Sequence, residues 1–126
     1  MIHLGVDIIE IERIAAAIDR WGDRFLNRIY TREEIAFSKG RIPQLAGRFA
    51  AKESVMKALG TGLRGVSWRE IEITRKKGFP PEIQLHNRAL VRSQVLNLKR
   101  IALSISHSRD YAVAMVVGEV DEDCKH

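Results

Sequence analysis

The strongest constraint on the fold is a run of helix-forming residues that begins at Arg48 and ends at Gly60-Thr61-Gly62. At about 100° per residue, this run forms one broad apolar arc made of Phe49, Ala51, Val55, Met56, Ala58 and Leu59. Lys52, like Arg48, projects from within the arc, and Glu53 and Lys57 lie at its edge. A helix that is apolar nearly all round is a buried one, and buried charges need a counter-charge, a metal or a charged ligand. We therefore expect this helix to lie in the core and to line a site.

Length and composition place the chain among ordinary globular proteins. Its 126 residues suit one domain, which we expect over residues 1–120 with a polar tail over 121–126, and 45% are hydrophobic and 29% charged. No apolar run approaches the ~18 residues of a membrane span, and we see no secretory signal. The one cysteine, Cys124, has no intramolecular partner, which excludes a disulfide framework and favours a reducing compartment. The expected location is the cytoplasm.

The N-terminal half is predicted to be a strand followed by helices. Apolar residues alternate with polar ones or glycine over residues 2–8, which predicts a strand with Asp7 on the face where Gly5 leaves open space. An amphipathic helix should follow from near Glu10, with an interruption around Gly22. A capping box over residues 31–34 predicts a short helix that ends at residue 40, and Pro43 marks the start of the buried helix.

The C-terminal half is predicted to consist of two hairpins with a helix between them. Residues 71–74 and 83–85 alternate in polarity on either side of a Gly-Phe-Pro-Pro turn, and residues 101–105 and 111–120 form a second strand pair with His107 near its tip. Asn87 is the expected N-cap of the intervening helix, and residues 62–66 form a glycine-rich turn. The predicted fold class is α+β, with an antiparallel sheet packed against a long buried helix.

Two isolated carboxylates are the first candidates for chemistry. Asp7 is unusual in a strand interior, although an N-cap or a core salt bridge is an alternative role. Glu53 could pair with Lys57 four residues on, as a surface ion pair worth ~0.3 kcal/mol. Together with two cations on the helix and a histidine at a strand end, however, they favour a site for a charged ligand. Two carboxylates plus phosphate oxygens are a common way for proteins to hold Mg²⁺.

The other candidate features also have plain alternatives. His107 could be an ordinary turn histidine, and Gly60-Thr61-Gly62 could be only a helix C-cap. A P-loop is rejected, because its lysine would have to follow the glycines. The arginines of the first helix share one face, and such a face is often only solvated surface. Without an interleaved acid it favours an anionic partner; its members are Arg13, Arg20 and Arg24.

Three separated motifs occur in order over nearly the whole chain. They are Gly5-Val6-Asp7-Ile8, then Arg48-Phe49-Ala50-Ala51-Lys52-Glu53 with Lys57-Ala58-Leu59-Gly60-Thr61-Gly62, and finally Ser104-Ile105-Ser106-His107 before Tyr111-Ala112-Val113-Ala114. In this combination the chain resembles the holo-acyl-carrier-protein synthases, the small stand-alone group of the 4′-phosphopantetheinyl transferases.

This resemblance implies a fold, a reaction and an assembly. Members transfer the phosphopantetheine arm of coenzyme A to a serine of an apo acyl carrier protein, release adenosine 3′,5′-bisphosphate and use magnesium. The implied role is in fatty acid biosynthesis, in a polyketide system, or in both. The implied assembly is a homotrimer whose active sites are shared between neighbouring subunits.

The resemblance also assigns roles to residues. Asp7 and Glu53 would coordinate Mg²⁺, and Glu53 or a water bound to the metal would accept the serine proton, while Lys57 would donate to the leaving diphosphate. Contacts to coenzyme A would come from Arg48, Lys52, Gly60, Thr61 and His107. The acidic carrier protein would dock on Arg13, with Arg20 and Arg24 as further contacts.

Two other classes of protein remain as alternatives. The 21 basic against 16 acidic residues, a net charge of +5, would also suit a nucleic-acid-binding module. Against that reading, only 6% of the residues are aromatic and no nucleic-acid-binding motif is present. An inactive scaffold of the same fold is the third possibility, and the presence of Asp7, Glu53 and Lys57 argues against it.

Overall fold

A three-stranded antiparallel sheet and one long helix form the centre of the fold, in a computed structural model that describes residues 1–122. Cys124 and most of the predicted tail lie outside the described residues. The strands of this sheet run in the order β1, β5, β4, and a separate hairpin pairs β2 with β3. Their bounds are β1 Ile2–Glu10, β2 Ile71–Thr74, β3 Glu82–Leu85, β4 Leu98–His107 and β5 Tyr111–Val120.

Six helices connect and cover these strands. They are α1 Ile11–Trp21, α2 Asp23–Ile29, α3 Arg32–Ser38, α4 Ile42–Leu59, α5 Gly62–Gly65 and α6 Asn87–Val95, with a 3-10 turn over Trp68–Glu70 before β2. Helix α4 packs against β1 and β5, so the predicted antiparallel α+β architecture is confirmed. Within residues 1–122, none of the helices combines the length and apolarity needed to cross a membrane.

Helix α4 is buried on almost every side, as the sequence predicted. Pro43 lies in its first turn, where a missing N–H costs nothing, and Gly60 ends it in the left-handed region at φ 71°. Ala50 and Ser54, which face away from the apolar arc, are also fully buried. The hydroxyl of Ser54 lies 2.8 Å from the Ala50 carbonyl oxygen and 3.0 Å from that of Ala114 in β5. The sheet therefore also covers the side of the helix that lies opposite the apolar arc.

The expectation of open space beside Asp7 is wrong, because helix α4 occupies it. A Cβ atom on Gly5 would lie 1.8 Å from the carbonyl oxygen of Ser54, so only glycine lets the strand and helix backbones approach this closely. Gly5 and Asp7 share the face of β1 that α4 covers. The opposite face carries four exposed apolar side chains, with 56 to 64% of their surface accessible: Ile2, Leu4, Val6 and Ile8.

Several local predictions can be compared with the observed elements. The capping box is confirmed, because the Glu34 amide donates to the Thr31 hydroxyl and the Thr31 amide to the Glu34 carboxylate. Gly22, at φ 56°, separates α1 from α2, so Arg24 does not share a helix with the arginines of α1. Asn87 is the first residue of α6 and not its N-cap, and the turn after Gly60 contains the short helix α5.

Candidate active site

Strand β1 and helix α4 bring Asp7, Glu53 and Lys57 together. The ammonium group of Lys57 donates to the Val6 carbonyl oxygen at 2.9 Å and to Oδ1 of Asp7 at 3.1 Å. The side chain of Asp7 is 13% exposed and that of Lys57 is 55% exposed, so the pair lies at the protein surface. Lys57 of α4 thus forms its ion pair with Asp7 of β1. Helix spacing alone suggests a different pair, between Lys57 and Glu53.

Glu53 lies close enough to Asp7 for the two carboxylates to interact. Its pKa is raised, first because it is partly buried and then because of the charge of Asp7 and a hydrogen bond with it, while Lys57 and Arg13 act in the opposite direction. Two adjacent carboxylates cannot both ionise without a cost in free energy, and a cation between them removes that cost. The two side chains therefore fit a hard divalent cation such as Mg²⁺.

Among the described residues, Asp7 and Glu53 are the two carboxylates that would hold such a cation. Residues 1–122 contain no group of three or more His, Cys, Asp or Glu side chains arranged to hold a metal ion. The other oxygen ligands would have to come from a substrate or from water, which is the usual arrangement for Mg²⁺ in phosphoryl transfer sites. This donor set favours a cation that binds together with a phosphate-bearing substrate.

Glu53 lines two pockets. The first, of about 310 Å³, also contains Asp7, Arg13 and Phe49, so the structure brings Arg13 to the carboxylates. The second, of about 330 Å³, is largely apolar and is lined by Glu53, Met56, Lys57, Gly60, Gly62, Leu63 and Trp68. The glycines that end helix α4 therefore do more than stop the helix, because they also form part of the wall beside Glu53 and Lys57.

Two polar atoms in the described part of the chain are buried without a hydrogen-bond partner, Nε of Arg48 and the hydroxyl oxygen of Thr61. Such an atom costs about 1–3 kcal/mol. The Arg48 guanidinium lies 4.8 Å from the centre of the Phe37 ring and donates to Oε1 of Gln44 at 3.1 Å. Burial lowers its pKa, with Glu34 acting in the opposite direction. Both residues belong to the predicted substrate-binding set, and both retain unused hydrogen-bonding capacity.

A basic cleft of about 520 Å³ was not anticipated by sequence reasoning. Its walls come from the end of α3, the start of α4 and the turn after β2: Phe37, Lys39, Arg41, Gln44, Arg75, Lys77 and Gly78. Arg48 contacts the cleft from behind, through Phe37 and Gln44. Both basic segments are visible in the sequence, but no spacing rule indicates that they meet. The four exposed cations favour an anionic ligand.

The surroundings of Lys52 contradict the prediction that it binds a phosphate. Its side chain is fully buried and its ammonium group lies 2.7 Å from Oε1 of Glu34. The same group donates to the carbonyl oxygens of Trp68 at 3.1 Å and Ile71 at 2.6 Å. All three of its protons are therefore used within the protein. Helical periodicity placed this cation inside the apolar arc, but it could not identify the carboxylate that pairs with it.

The structure separates the remaining candidates from the carboxylate pair. In the sheet register, Asp7 faces Ala114 and Ala114 faces Ile105, whereas His107 faces Ala112. His107 is thus two strands away, roughly 10 Å across the sheet, and it is exposed. Arg20 lies 4.9 Å over the Trp21 ring at the end of α1, and Arg24 is exposed on α2. Of the three arginines predicted to dock the carrier protein, Arg13 lines the pocket of Asp7 and Glu53.

Comparison with known proteins gives one consistent result. A family model described as the 4′-phosphopantetheinyl transferase superfamily matches residues 3–116. A holo-[acyl-carrier-protein] synthase of Dehalococcoides mccartyi is 49% identical over 94% of this chain and 99% of its own length. The corresponding protein of Koribacter versatilis is 47% identical over 91% of this chain and 95% of its own length.

Solved structures agree with this result. The holo-[acyl-carrier-protein] synthase of Helicobacter pylori, solved in complex with coenzyme A, superimposes with a TM-score of 0.84 at 32% identity, covering 92% of this chain and 99% of that one. The enzyme from Neisseria meningitidis also gives a TM-score of 0.84, at 38% identity, with 94% and 99% covered. The fold is therefore shared along nearly the full length of the chain.

The proximity of Asp7 and Glu53 predicts an unusual effect on stability. Without divalent cations, Glu53→Gln should raise the Tm by about 2 °C near pH 8, because a neutral amide is not repelled by Asp7. A raised pKa means that the folded state holds the proton more tightly, so the contribution of Glu53 to stability is present at low pH and is lost as the pH rises through that pKa.

Calorimetry in the presence of a chelator measures this effect. The Tm difference between the variant and the parent should disappear near pH 4, where Glu53 is itself protonated. The matched control, Glu82→Gln at an exposed position of β3, should show no pH-dependent increase in Tm. A Glu53→Gln protein that is less stable than the parent at pH 8 would contradict the proposed repulsion.

Proposed function

Since the chain belongs to the 4′-phosphopantetheinyl transferase superfamily, we propose that it is a holo-[acyl-carrier-protein] synthase. It transfers the 4′-phosphopantetheine group of coenzyme A to a serine of an apo acyl carrier protein and releases adenosine 3′,5′-bisphosphate. The observation that carries this proposal is the pair Asp7 and Glu53, with Lys57 bonded to Asp7 at the surface. Its product would serve fatty acid biosynthesis in the cytoplasm, a location that the single cysteine of the sequence favours.

Asp7 and Glu53 are the residues that would hold Mg²⁺. When bound, the cation supplies Lewis-acid stabilisation of the charge on the coenzyme A diphosphate. The repulsion between the two carboxylates gives the chain a physical reason to take up a cation at this point. With two carboxylates from the protein, such a cation would need its other oxygen ligands from the substrate or from water.

The chemical step needs no nucleophile from this chain, because the attacking hydroxyl belongs to the carrier protein. A bond forms between the serine oxygen and the phosphorus of the pantetheine phosphate, and the bond from that phosphorus to the bridging oxygen breaks. We assign the serine proton to Glu53, which passes it to solvent. The bridging oxygen leaves on the bisphosphate, where the Lys57 ammonium group donates a hydrogen bond. The chain otherwise contributes positioning and charge.

Coenzyme A carries several negative charges, and the chain offers matching cations in two places. Lys57 lies at the carboxylates, and the basic cleft carries Lys39, Arg41, Arg75 and Lys77 with Arg48 behind it. Arg48 and Thr61 each have a buried polar atom without a hydrogen-bond partner, and Gly60 lies in the pocket wall beside Glu53. We therefore place the 3′-phosphate of coenzyme A on Arg48 and the cleft, and contacts nearer the reacting diphosphate on Gly60 and Thr61.

His107 does not reach the carboxylate pair of its own chain, which supports a shared active site. We propose that the protein forms a homotrimer in which His107 contacts coenzyme A at the site of a neighbouring subunit. The outer face of the sheet supports an assembly of copies, because β1 and the adjacent β5 expose a continuous apolar surface: Ile2, Leu4, Val6, Ile8, Tyr111 and Met115. An apolar patch of this kind is typical of an interface.

The transfer assay tests the reaction and its proposed residues. With apo carrier protein, coenzyme A and Mg²⁺, mass spectrometry should show the carrier gaining the phosphopantetheine group. Asp7→Asn and Glu53→Gln should each lower kcat/KM by about 10²–10³-fold, the range for removing one preorganised charged group. Glu82→Gln is the matched control and should keep normal activity. Absence of the added mass would reject the function, and near-normal Glu53→Gln turnover at saturating Mg²⁺ would reject both roles of Glu53.

The docking arginines predict a selective effect on one substrate. Arg13→Glu should raise the KM for an acidic carrier protein about 10-fold, with a much smaller change in the KM for coenzyme A, because rim charges act mainly on association. Arg20 and Arg24 should give smaller effects of the same kind. Arg100→Glu on exposed β4 is the control for a charge reversal elsewhere. Equal changes in both KM values would argue against docking at Arg13.

The proposed trimer can be measured directly. Sedimentation equilibrium should give three times the 14.3 kDa mass of the chain, and Leu4→Asp should shift the protein towards the monomer by placing a charge in the interface. Leu90→Asp, at an exposed position of α6, introduces the same charge away from the sheet face and should leave the trimer intact. A parent protein that sediments as a monomer would rule out a shared site.

A further inference from the structure

The outer edge of strand β2 is held by a buried charge pair. The sheet to which β2 belongs has two strands, and β3 pairs with its inner edge. On the outer edge, the Ile71 carbonyl oxygen accepts from Lys52 at 2.6 Å, and the Ile73 amide donates to Oε2 of Glu34 at 3.1 Å. Lys52 and Glu34 have fully buried side chains. The pair therefore provides the hydrogen bonds that a neighbouring strand would otherwise provide.

The same pair joins three further segments. Lys52 also donates to the carbonyl oxygen of Trp68 at 3.1 Å, and Oε1 of Glu34 accepts from the Thr31 amide at 2.8 Å. Helices α3 and α4 and the 3-10 turn before β2 are thus fixed to one another. A buried pair persists when its remaining donors and acceptors are satisfied, and breaking it leaves an uncompensated charge.

Trp68 connects this buried pair to the candidate active site. Its ring stacks on Phe49 with centroids 4.7 Å apart and an angle of 25° between the planes. It also lines the apolar pocket that contains Glu53 and Lys57. Lys52 immediately precedes Glu53 in helix α4, so one residue holds the Trp68 backbone while the next presents its carboxylate to the pocket that the Trp68 ring lines.

We propose that Lys52 is a positioning residue that fixes Trp68 as the pocket wall beside Glu53, and thereby sets the geometry in which the phosphoryl group is transferred. This inference rests on the proposed function. It replaces the phosphate contact expected for Lys52 with an indirect role. Misplacement of reacting groups by about 1 Å can cost 10²-fold in rate, so the effect should fall on kcat, whereas the basic cleft that binds phosphates is lined by other residues.

The test uses Trp68 as its own reporter. The chain has two tryptophans, and Trp21→Phe leaves Trp68 as the single emitter while keeping the exposed position aromatic. In this background, Lys52→Met should shift the Trp68 emission to longer wavelength and increase its quenching by acrylamide. With Mg²⁺, coenzyme A and apo carrier protein, kcat should fall by about 10- to 100-fold, and the KM for coenzyme A should change by less than about 3-fold.

Two further variants separate positioning from loss of stability. Leu98→Ala, at the start of β4, removes a side chain that packs on Gly118, so it should lower the Tm and leave the Trp68 emission and kcat unchanged. Trp68→Leu keeps the Lys52–Glu34 pair and removes the wall, so its kcat should fall as in Lys52→Met. If Lys52→Met does not fold, normal kcat in Trp68→Leu overturns the proposal.

Failure of this proposal can be distinguished from failure of the proposed function. A folded Lys52→Met protein with unchanged Trp68 emission, or with the kcat of Leu98→Ala, would overturn the positioning role. If neither the original chain nor its Trp21→Phe variant transfers phosphopantetheine, the proposed function itself is contradicted. In that case the emission of Trp68 still decides whether Lys52 fixes the ring.

Discussion

The close contact between the backbones of β1 and α4 at Gly5 is the constraint on which the site depends. A side chain at this position would overlap the Ser54 carbonyl oxygen, since its Cβ would lie 1.8 Å away. Because α4 lies directly on β1, Glu53 and Lys57 of the helix reach Asp7 of the strand. Lys57 bonds to it at 3.1 Å, and the pKa of Glu53 is raised by partial burial and by its interaction with Asp7. The absence of a side chain at Gly5 thus allows β1 and α4 to bring Asp7, Glu53 and Lys57 together.

The charges of helix α4 fall into two groups with different physical roles. Lys52 is enclosed, and each of its protons meets an acceptor of the protein, so its charge contributes to the architecture around β2. Lys57 and Glu53 lie at the surface and in the pockets, where their charges can act on a ligand. Arg48 is intermediate, because it is buried and yet has an unpaired Nε behind the basic cleft. The surroundings of each charge, and not its position on the helix, distinguish these roles.

In the proposed reaction, the distribution of functional groups favours an assembly of several copies of the chain. The carboxylates and Lys57 lie at one edge of the sheet, whereas His107 lies two strands away. The sheet face turned away from α4 is apolar and exposed. Association through that face would cover this surface and could bring His107 of one copy to the carboxylates of another. The same assembly would therefore satisfy a hydrophobic requirement and a catalytic one.

Most of the elements and the candidate metal ligands can be predicted from the amino-acid sequence, because helical and strand periodicity, capping chemistry and the order of three motifs are local properties. The burial of α4, the capping box at Thr31 and both hairpins followed from these patterns. Three contacts depend on how distant segments pack: Lys52 pairs with Glu34, the backbone of α4 lies against Gly5, and Arg41 and Arg75 line one cleft. Periodicity states which side chains share a face, but the groups opposite that face come from distant segments that meet only when the chain folds.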